Sequence, residues 1–512
     1  MPISQSDQIF SLVKSLTKAE KRNFRIYTSR FQDGNSSKYI QLFDVLDKQK
    51  QLDERELFKY FPKAQLSNLK RHLYKQILIS LRLIHISKSA HIEIRELMDF
   101  ANILYRKGLY LQSLKILDKA KAHAQKIHND LILLNIYEFE KIIESRHITR
   151  SGPDKTNELL TLSSYKLIGV NNLVKLTNLK IYLHNLYIKN GHIKSEEQQK
   201  KVNEIFENNI KQVDIGILNP IEKVHLYQAF VWYYYILIDF VNCYSYALKW
   251  VNVLLESKIS VHRDPNLLMR GYHYILTSAY NTLDIDNYLR HLEELELFRK
   301  KNYKKFDPNT QMVSFLYVHN GRLNKYFLQG EFEEGTKAIP RTLRRINRYQ
   351  DRLDAHRIMV FYFKIAWMNF GAEKYTMCLK YLNKIITMEI GNLREDIQGY
   401  TRLMHLMAHY ESENYDIGEY LVNNVDRFFK KMQDTNKLQI KTLKFFKLIN
   451  KMPLGGRGKA FKAFEKDLTL IYHNKYESKA FLYLDILSWV RSKNQKKSLS
   501  FITKQKLKSN YA

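Results

Sequence analysis

Glycine and proline are scarce, together 25 of 512 residues or about 5 %, against a usual share of roughly 12 %. So few turn-formers exclude an all-β protein, a collagen-like one and a disordered one. Cysteine is nearly absent. Cys243 and Cys378 stand far apart and form no CxxC pair, so neither a disulfide framework nor a zinc finger is available, and a reducing compartment fits. Long hydrophobic runs are also missing. The most apolar window, residues 226–241, contains Gln228 and Asp239 and is too short and polar for a bilayer span. The first thirty residues carry scattered lysine and arginine but no apolar stretch of secretory type. A cytoplasmic protein without membrane contact is expected.

What is present is charge and helical periodicity. Hydrophobic residues make 45 % and charged residues 26 % of the chain, with a net charge of +31. Asn219-Pro220, Asp264-Pro265 and Asp307-Pro308 share one pattern, a side-chain cap followed by proline, which opens a helix without wasting an N–H. Asp130, Asn172, Asp354, Asn392 and Asn436 stand at similar intervals before apolar helical patterns. The pattern predicts paired helices starting near each of these positions, at steps of 38 to 47 residues, close to the range of long helical repeats. Inside each unit an aromatic residue opens the second helix and a small residue follows three positions later, as in Tyr110-Ser113, Tyr244-Ala247, Phe332-Gly335, Tyr375-Cys378 and Tyr415-Gly418. Gly108, Asn242, Gly330, Gly371 and Asn414 precede them as turn residues.

The run Ala101…Gly108-Leu109-Tyr110…Ser113…Leu117…Ala120 resembles a tetratricopeptide (TPR) unit, and the whole resembles bacterial TPR-like proteins. The resemblance implies an all-α fold, a right-handed α-α superhelix of about eight or nine helix pairs. The repeat pattern covers roughly residues 91–475, and the solenoid is placed at 91–492. It also implies a groove lined by the first helix of each pair. Its offsets place Asn102, Tyr105, Trp232, Tyr317, Asn320, Asn324, Phe327, Phe363, Trp367, Phe370, Tyr400, Met407 and Tyr410 on that wall. Aromatic and amide side chains there suit an extended peptide.

Residues 1–90 do not follow the repeat and read as a small helical domain, with a helix-turn-helix derivative as the sharper alternative. Residues 493–512 read as a frayed basic tail. Positive charge gathers at both ends of the chain and in a stripe at Arg341, Arg345, Arg348 and Arg352, with Arg299-Lys300-Lys301 and Lys304-Lys305 as a loop cluster. Such stripes can neutralise the phosphates of a nucleic acid, and they are also ordinary solvated helix faces.

Catalytic signatures are few. His405 and His409 have metal-sharing spacing, but the metalloprotease pattern needs glutamate where Leu406 stands. Pro453 and Ala460 occupy the places where a phosphate-binding loop needs glycine and serine or threonine. Neither a catalytic group, a metal site nor a cofactor is expected. The sequence therefore points to a non-catalytic protein- or peptide-binding scaffold. The alternative is a nucleic-acid-binding regulator that uses its basic ends, with the solenoid as sensor.

Overall fold

The computed structural model describes residues 5–30, 34–86, 89–147, 149, 153–257, 264–388, 394–432 and 435–509. Among these are 24 α-helices and no strand. The chain divides into two compact units, Met1–Ile168 and Gly169–Ala512. No helix among the described residues is long and apolar enough to cross a membrane.

The first unit opens with α1 (Gln5–Ser15), α2 (Lys18–Thr28), α3 (Gly34–Lys48), α4 (Glu54–Phe58) and α5 (Lys63–His85). Thr17 caps α2 in the expected box with Glu20. Ile9, Val13, Phe24, Leu42, Phe43, Leu46, Leu73 and Ile77 close a separate core among these helices. Then come α6 (Ala90–Arg106), α7 (Tyr110–Lys126), α8 (Asp130–Arg146) and the start of α9 (Pro153–Asn190), built on a second core that includes Ala101, Leu114, Leu117, Ile136 and Tyr137.

The second unit contains α10 (Glu196–Ile210), α11 (Pro220–Ile236), α12 (Phe240–Glu256), α13 (Pro265–Asn281), α14 (Ile285–Asn302), α15 (Pro308–Gln329) and α16 (Phe332–Arg348). It continues with α17 (Ala355–Gly371), α18 (Tyr375–Ile386), α19 (Glu395–Glu411), α20 (Gly418–Lys431), α21 (Lys437–Asn450), α22 (Arg457–His473), α23 (Ile486–Gln495) and α24 (Leu499–Ser509). From α11 onward each helix packs on the next in adjacent pairs, as in a helical repeat array. The first helices also touch one another from pair to pair: α13 with α15, α15 with α17, α17 with α19 and α19 with α21. They form the inner layer of the array.

One turn recurs eight times. A residue in the left-handed region ends a helix at Gly108, His128, Ile238, Leu283, Gly330, Glu373, Glu413 and Lys496. The next N–H donates back across five positions, as from Leu109 to the Leu104 carbonyl, Asp239 to Tyr234, Asp284 to Ala279 and Lys374 to Asn369. This is a Schellman closure, which satisfies a carbonyl left over at the helix end. Asn242, Gly371 and Asn414 are therefore not the turn residues that the sequence suggests. Their turns use Ile238, Glu373 and Glu413, where no glycine marks the place.

Helix starts fall as the caps foretell at Asn219, Asp264, Asp307, Asp354 and Asn436, each accepting from the first turn. Near Asp130 the cap is Asn129, which accepts from the Ile132 N–H. Asn392 lies outside the described residues. Asn172 starts nothing: it sits buried in mid-α9, its amide 3.5 Å from the Asp214 carbonyl. In α12 the opening aromatic is Phe240 rather than Tyr244, so the small residue three positions on is Cys243, whose thiol faces the Val231 carbonyl at 3.7 Å. Ser113 makes the equivalent bond to Ala101 at 2.7 Å.

Residues 493–509 correct the expectation of a frayed tail, residues 510–512 lying outside the described residues. Residues 486–495 and 499–509 are helical. α24 packs on α15, buries Leu499 and Ile502, and donates from Ser500 Oγ to the Gly330 carbonyl at 2.5 Å. Further upstream Lys479 Nζ reaches the His192 and Ile193 carbonyls, and Tyr476 reaches Gln199. The lysines hide this anchoring in the sequence, because the apolar face is only two or three residues wide.

Between α16 and α17 two glycines interlock. A Cβ on Gly335 would stand 2.2 Å from Met368 Sδ, and one on Gly371 would stand 2.2 Å from the Phe332 ring. Gly371→Ala is expected to cost about 1–3 kcal/mol through overpacking. Glu373 two positions on is exposed and left-handed at φ 59°. Glu373→Gly is expected to gain about 1 kcal/mol, the relief of left-handed strain less the added freedom of the unfolded chain. Urea midpoints moving in opposite directions for these two neighbours would verify the turn; a destabilised Glu373→Gly variant would refute it.

Candidate functional site

The inner layer carries a continuous strip of cations, amides and rings. Lys180 of α9 donates to His225 Nδ1 and to Gln228 Oε1 of α11, each at 3.2 Å. The His184 ring stands edge-on to Trp232 at 4.9 Å, and Trp232 meets Tyr274 of α13 at 5.7 Å. His273 lies 5.1 Å from Tyr317 of α15. Lys364 of α17 donates to Asn320 Oδ1 at 3.0 Å and Asn324 Oδ1 at 2.8 Å. These contacts join residues about one repeat apart, 45 positions for Lys180 with His225 and 44 for Lys364 with Asn320.

Charge in the strip lacks direct ion pairs, with Asp264 acting on Arg270 from beyond pairing distance. Among the described residues no carboxylate comes within ion-pair distance of Lys180, Arg270 or Lys364. Burial lowers the Lys180 ammonium, and the Arg270 charge lowers it further. His184 is lowered in the same way. His273 is pushed down to about 4 by burial, then by Lys364 and Arg270. Burial brings Lys364 down to about 8 although its side chain keeps part of its surface in water. Arg270 opposes that trend: burial would weaken it, and the phenols of Tyr317 and Tyr274 with Asp264 hold it above its ordinary value. Lys180 and Lys364 are half-buried and Arg270 is exposed, so positive charge is gathered on a partly desolvated surface that favours an anionic ligand.

The structure sorts the expected wall residues into three groups. Trp232, Tyr317, Asn320 and Asn324 belong to the strip, with Phe363 and Trp367 half-buried on the same helix as Lys364. Asn102 is exposed and accepts from Arg106 Nε at 3.3 Å, while Tyr105 is half-buried against Tyr110 and Phe139. Both lie in the first unit. The third group is core. Phe327, Phe370, Tyr400 and Met407 are buried, which removes them from an open wall. Tyr400 stacks on Tyr483 at 5.2 Å and accepts from Asn436. Phe370 stacks on Trp367 at 5.2 Å. Tyr410 is half-buried in a cage of Phe446, Phe461 and Trp489, under the Arg457 guanidinium. Physically, the ends of the inner helices are covered by the C-terminal segment, so rings there fill wedges.

Lys180, His184, Arg270, His273 and Lys364 escaped the sequence reading. Their signal was available: polar residues recur one repeat apart on first helices, as Lys180, His225 and Arg270 do at equal steps. The arginine stripe is also redrawn. Arg341, Arg345 and Arg348 lie on α16 with Arg344, but α16 ends at Arg348 and Arg352 belongs to the short 3-10 turn Gln350–Arg352.

Other candidate chemistry resolves into packing. His405 and His409 pack edge to face at 4.5 Å, the first bonded to Asn383 and the second to Asn414. Among the described residues no group of three or more metal-type ligands assembles. Burial pushes the Cys243 thiol up to about 12 and raises Cys378 as well. Residues 454–456 form a 3-10 turn that leads into α22.

No family model matches the chain, and neither a curated protein nor a solved structure is similar to it.

Two buried histidines make stability depend on pH. His192 donates its Nδ1–H to the Tyr235 carbonyl at 2.8 Å, and burial, which outweighs that bond, pushes it down to about 4. Burial and then the charges of Arg322, Arg299, Arg341 and Arg345 push His319 down to about 3. The unfolded chain binds these protons first, below its ordinary value near 6.5, so stability falls as pH drops. From pH 6.5 to 5 the loss is about 2 kcal/mol per histidine. His192→Gln is expected to flatten the fall in urea midpoint between pH 7 and 5. An unchanged slope would show that His192 is charged in the folded protein.

Proposed function

We propose that this chain is a non-catalytic scaffold, a right-handed superhelix of TPR-like helix pairs that holds an extended, carboxylate-bearing segment of a partner protein along its inner strip. The observation that supports the reading is the run Lys180, Trp232, Arg270, Tyr317, Asn320, Asn324 and Lys364, joined by contacts one repeat apart, whose cations make no direct ion pair among the described residues. Amides pair with the backbone of an extended peptide, rings supply contact area, and the cations meet its carboxylates. Uncharged segments gain nothing from the cations, and basic ones are repelled.

The test is a set of peptides matched in length and differing in charge, titrated against the native chain and against the variants Arg270→Gln and Lys364→Gln. Acidic peptides are expected to bind best. Each substitution is expected to weaken them about ten-fold or more, since a hydrogen bond to a charged group contributes about 1.5–3 kcal/mol. Equal affinity for all charges, or equal binding by the variants with their melting points unchanged, would remove the strip as the binding surface.

A further inference from the structure

The fold brings together two basic segments that are forty residues apart in sequence. The first is the end of α14 and the following 3-10 turn, with Arg299, Lys300, Lys301, Lys304 and Lys305. The second is the outer half of α16, with Arg341, Arg344, Arg345 and Arg348, followed by Arg352. Tyr303 and Tyr349 mark the join. The Arg299 guanidinium lies 4.9 Å over the Tyr303 ring, and that of Arg348 lies 5.9 Å over the Tyr349 ring. Burial would raise the Tyr303 phenol, yet the neighbouring Tyr349 hydroxyl and the charges of Arg345, Arg299 and Arg348 hold it below its ordinary value. Arg299 is itself weakened by burial and by the proximity of Arg345 and Arg322.

No carboxylate pairs directly with this charge, although Glu293, Glu296 and Glu334 line the cleft that Arg341 borders. None of these ten cations makes an ion pair among the described residues, whereas the adjoining Arg322 and Lys337 are paired with Glu296 and Glu334. Asp307, two positions past Lys305, is engaged as the cap of α15 through Thr310. Eight of the ten cations are exposed, Arg299 and Arg345 being half-buried. The chain's general positive charge is carried mainly by lysine, but six of these ten are arginines out of 26 in the protein. Guanidinium groups bind phosphate oxygens in pairs, as ammonium groups do not. The four α16 arginines extend over about two turns of helix, roughly 10 Å, long enough to follow several consecutive phosphates. A single large apolar side chain, Leu297, is exposed beside them on α14, too little for the apolar centre of a protein interface.

We infer that this face of α14 and α16 is a binding surface for the phosphate backbone of a nucleic acid, separate from the inner strip and independent of what that strip holds. Contacts of this type fix position without reading bases, so sequence preference should be weak and salt dependence strong.

Fluorescence anisotropy with labelled single-stranded and duplex DNA, titrated with the full chain between about 50 and 200 mM salt, tests this directly. The log–log slope is expected to be about −0.9 per phosphate neutralised on the duplex. Changing Arg341, Arg345 and Arg348 together to Gln should flatten it by about three units. Changing Lys300, Lys301, Lys304 and Lys305 to Gln, all on an exposed segment, should flatten it independently. A control with Lys189, Lys211 and Lys223 changed to Gln, exposed lysines elsewhere in the same unit, should keep the native slope. Poly-glutamate at equal charge should compete poorly. Equal flattening by the control, an unchanged slope in the four-lysine variant, or full competition by poly-glutamate would overturn the assignment.

Discussion

The left-handed closure at the end of each helix is the constraint on which the array depends. A helix end leaves carbonyls without partners, and the bond across five positions satisfies one of them while reversing the chain within two residues. Because the same closure recurs from Gly108 to Lys496, successive helices leave each turn in a similar direction, and their apolar faces meet without long connections. Six of the eight left-handed residues are not glycine, at a cost of about 1–2 kcal/mol each. The β-branched Ile238 is the most costly kind of occupant. Packing on both sides holds the turn despite that cost: Ala101 and Ser113 across one closure, Val231 and Cys243 across another.

This explains which parts of the fold were legible in the sequence. Capped starts at Asn219, Asp264 and Asp307 carry their own chemistry, an acceptor and a proline in adjacent positions, and they read correctly without tertiary context. Closures occupied by Glu373 or Glu413 carry no such mark, so glycine and asparagine nearby drew the assignment one or two residues away. Asn172 shows the opposite failure. An amide is equally able to cap a helix or to meet a carbonyl from its interior, and here the partner is Asp214, 42 positions on. Only the packed structure chooses between the two.

The inner strip was half legible for a related reason. Rings and amides at first-helix offsets were identified, but offset alone does not separate a ring that faces water from one wedged between helices. Trp367 and Phe370 lie three positions apart and stack on each other, one half-buried and one buried. Phe370 also meets Tyr375 and borders a cleft shared with the C-terminal helices, where Trp489 sits among Phe445, Phe446 and Phe461 and donates to Glu411. Cover of this kind arises from the last residues of the chain, and no periodic pattern in the repeats anticipates it.

Charge distribution follows from the same construction. The protein has 52 acidic and 83 basic residues, and many of its acids are committed to structure. Asp239, Asp264, Asp284, Asp307 and Asp354 cap helices. Glu411 and Glu465 bind Trp489, Lys493, Arg491 and Asn494 in the C-terminal helices. Asp485, which burial would raise, is held below its ordinary value by Lys506 across the α23–α24 junction. Asp396 likewise overcomes burial through Arg394. An acid held by a cap or a strut acts on other cations only through a screened field, as Asp264 does on Arg270, because direct pairing requires contact and water screens the rest within about 10 Å at 0.1 M salt. Cations without an ion pair remain on the inner strip around Arg270 and Lys364 and on the outer face around Arg345. Beside the basic ends of the chain, these two faces carry cations that no carboxylate among the described residues pairs directly, which leaves them open to an external anion.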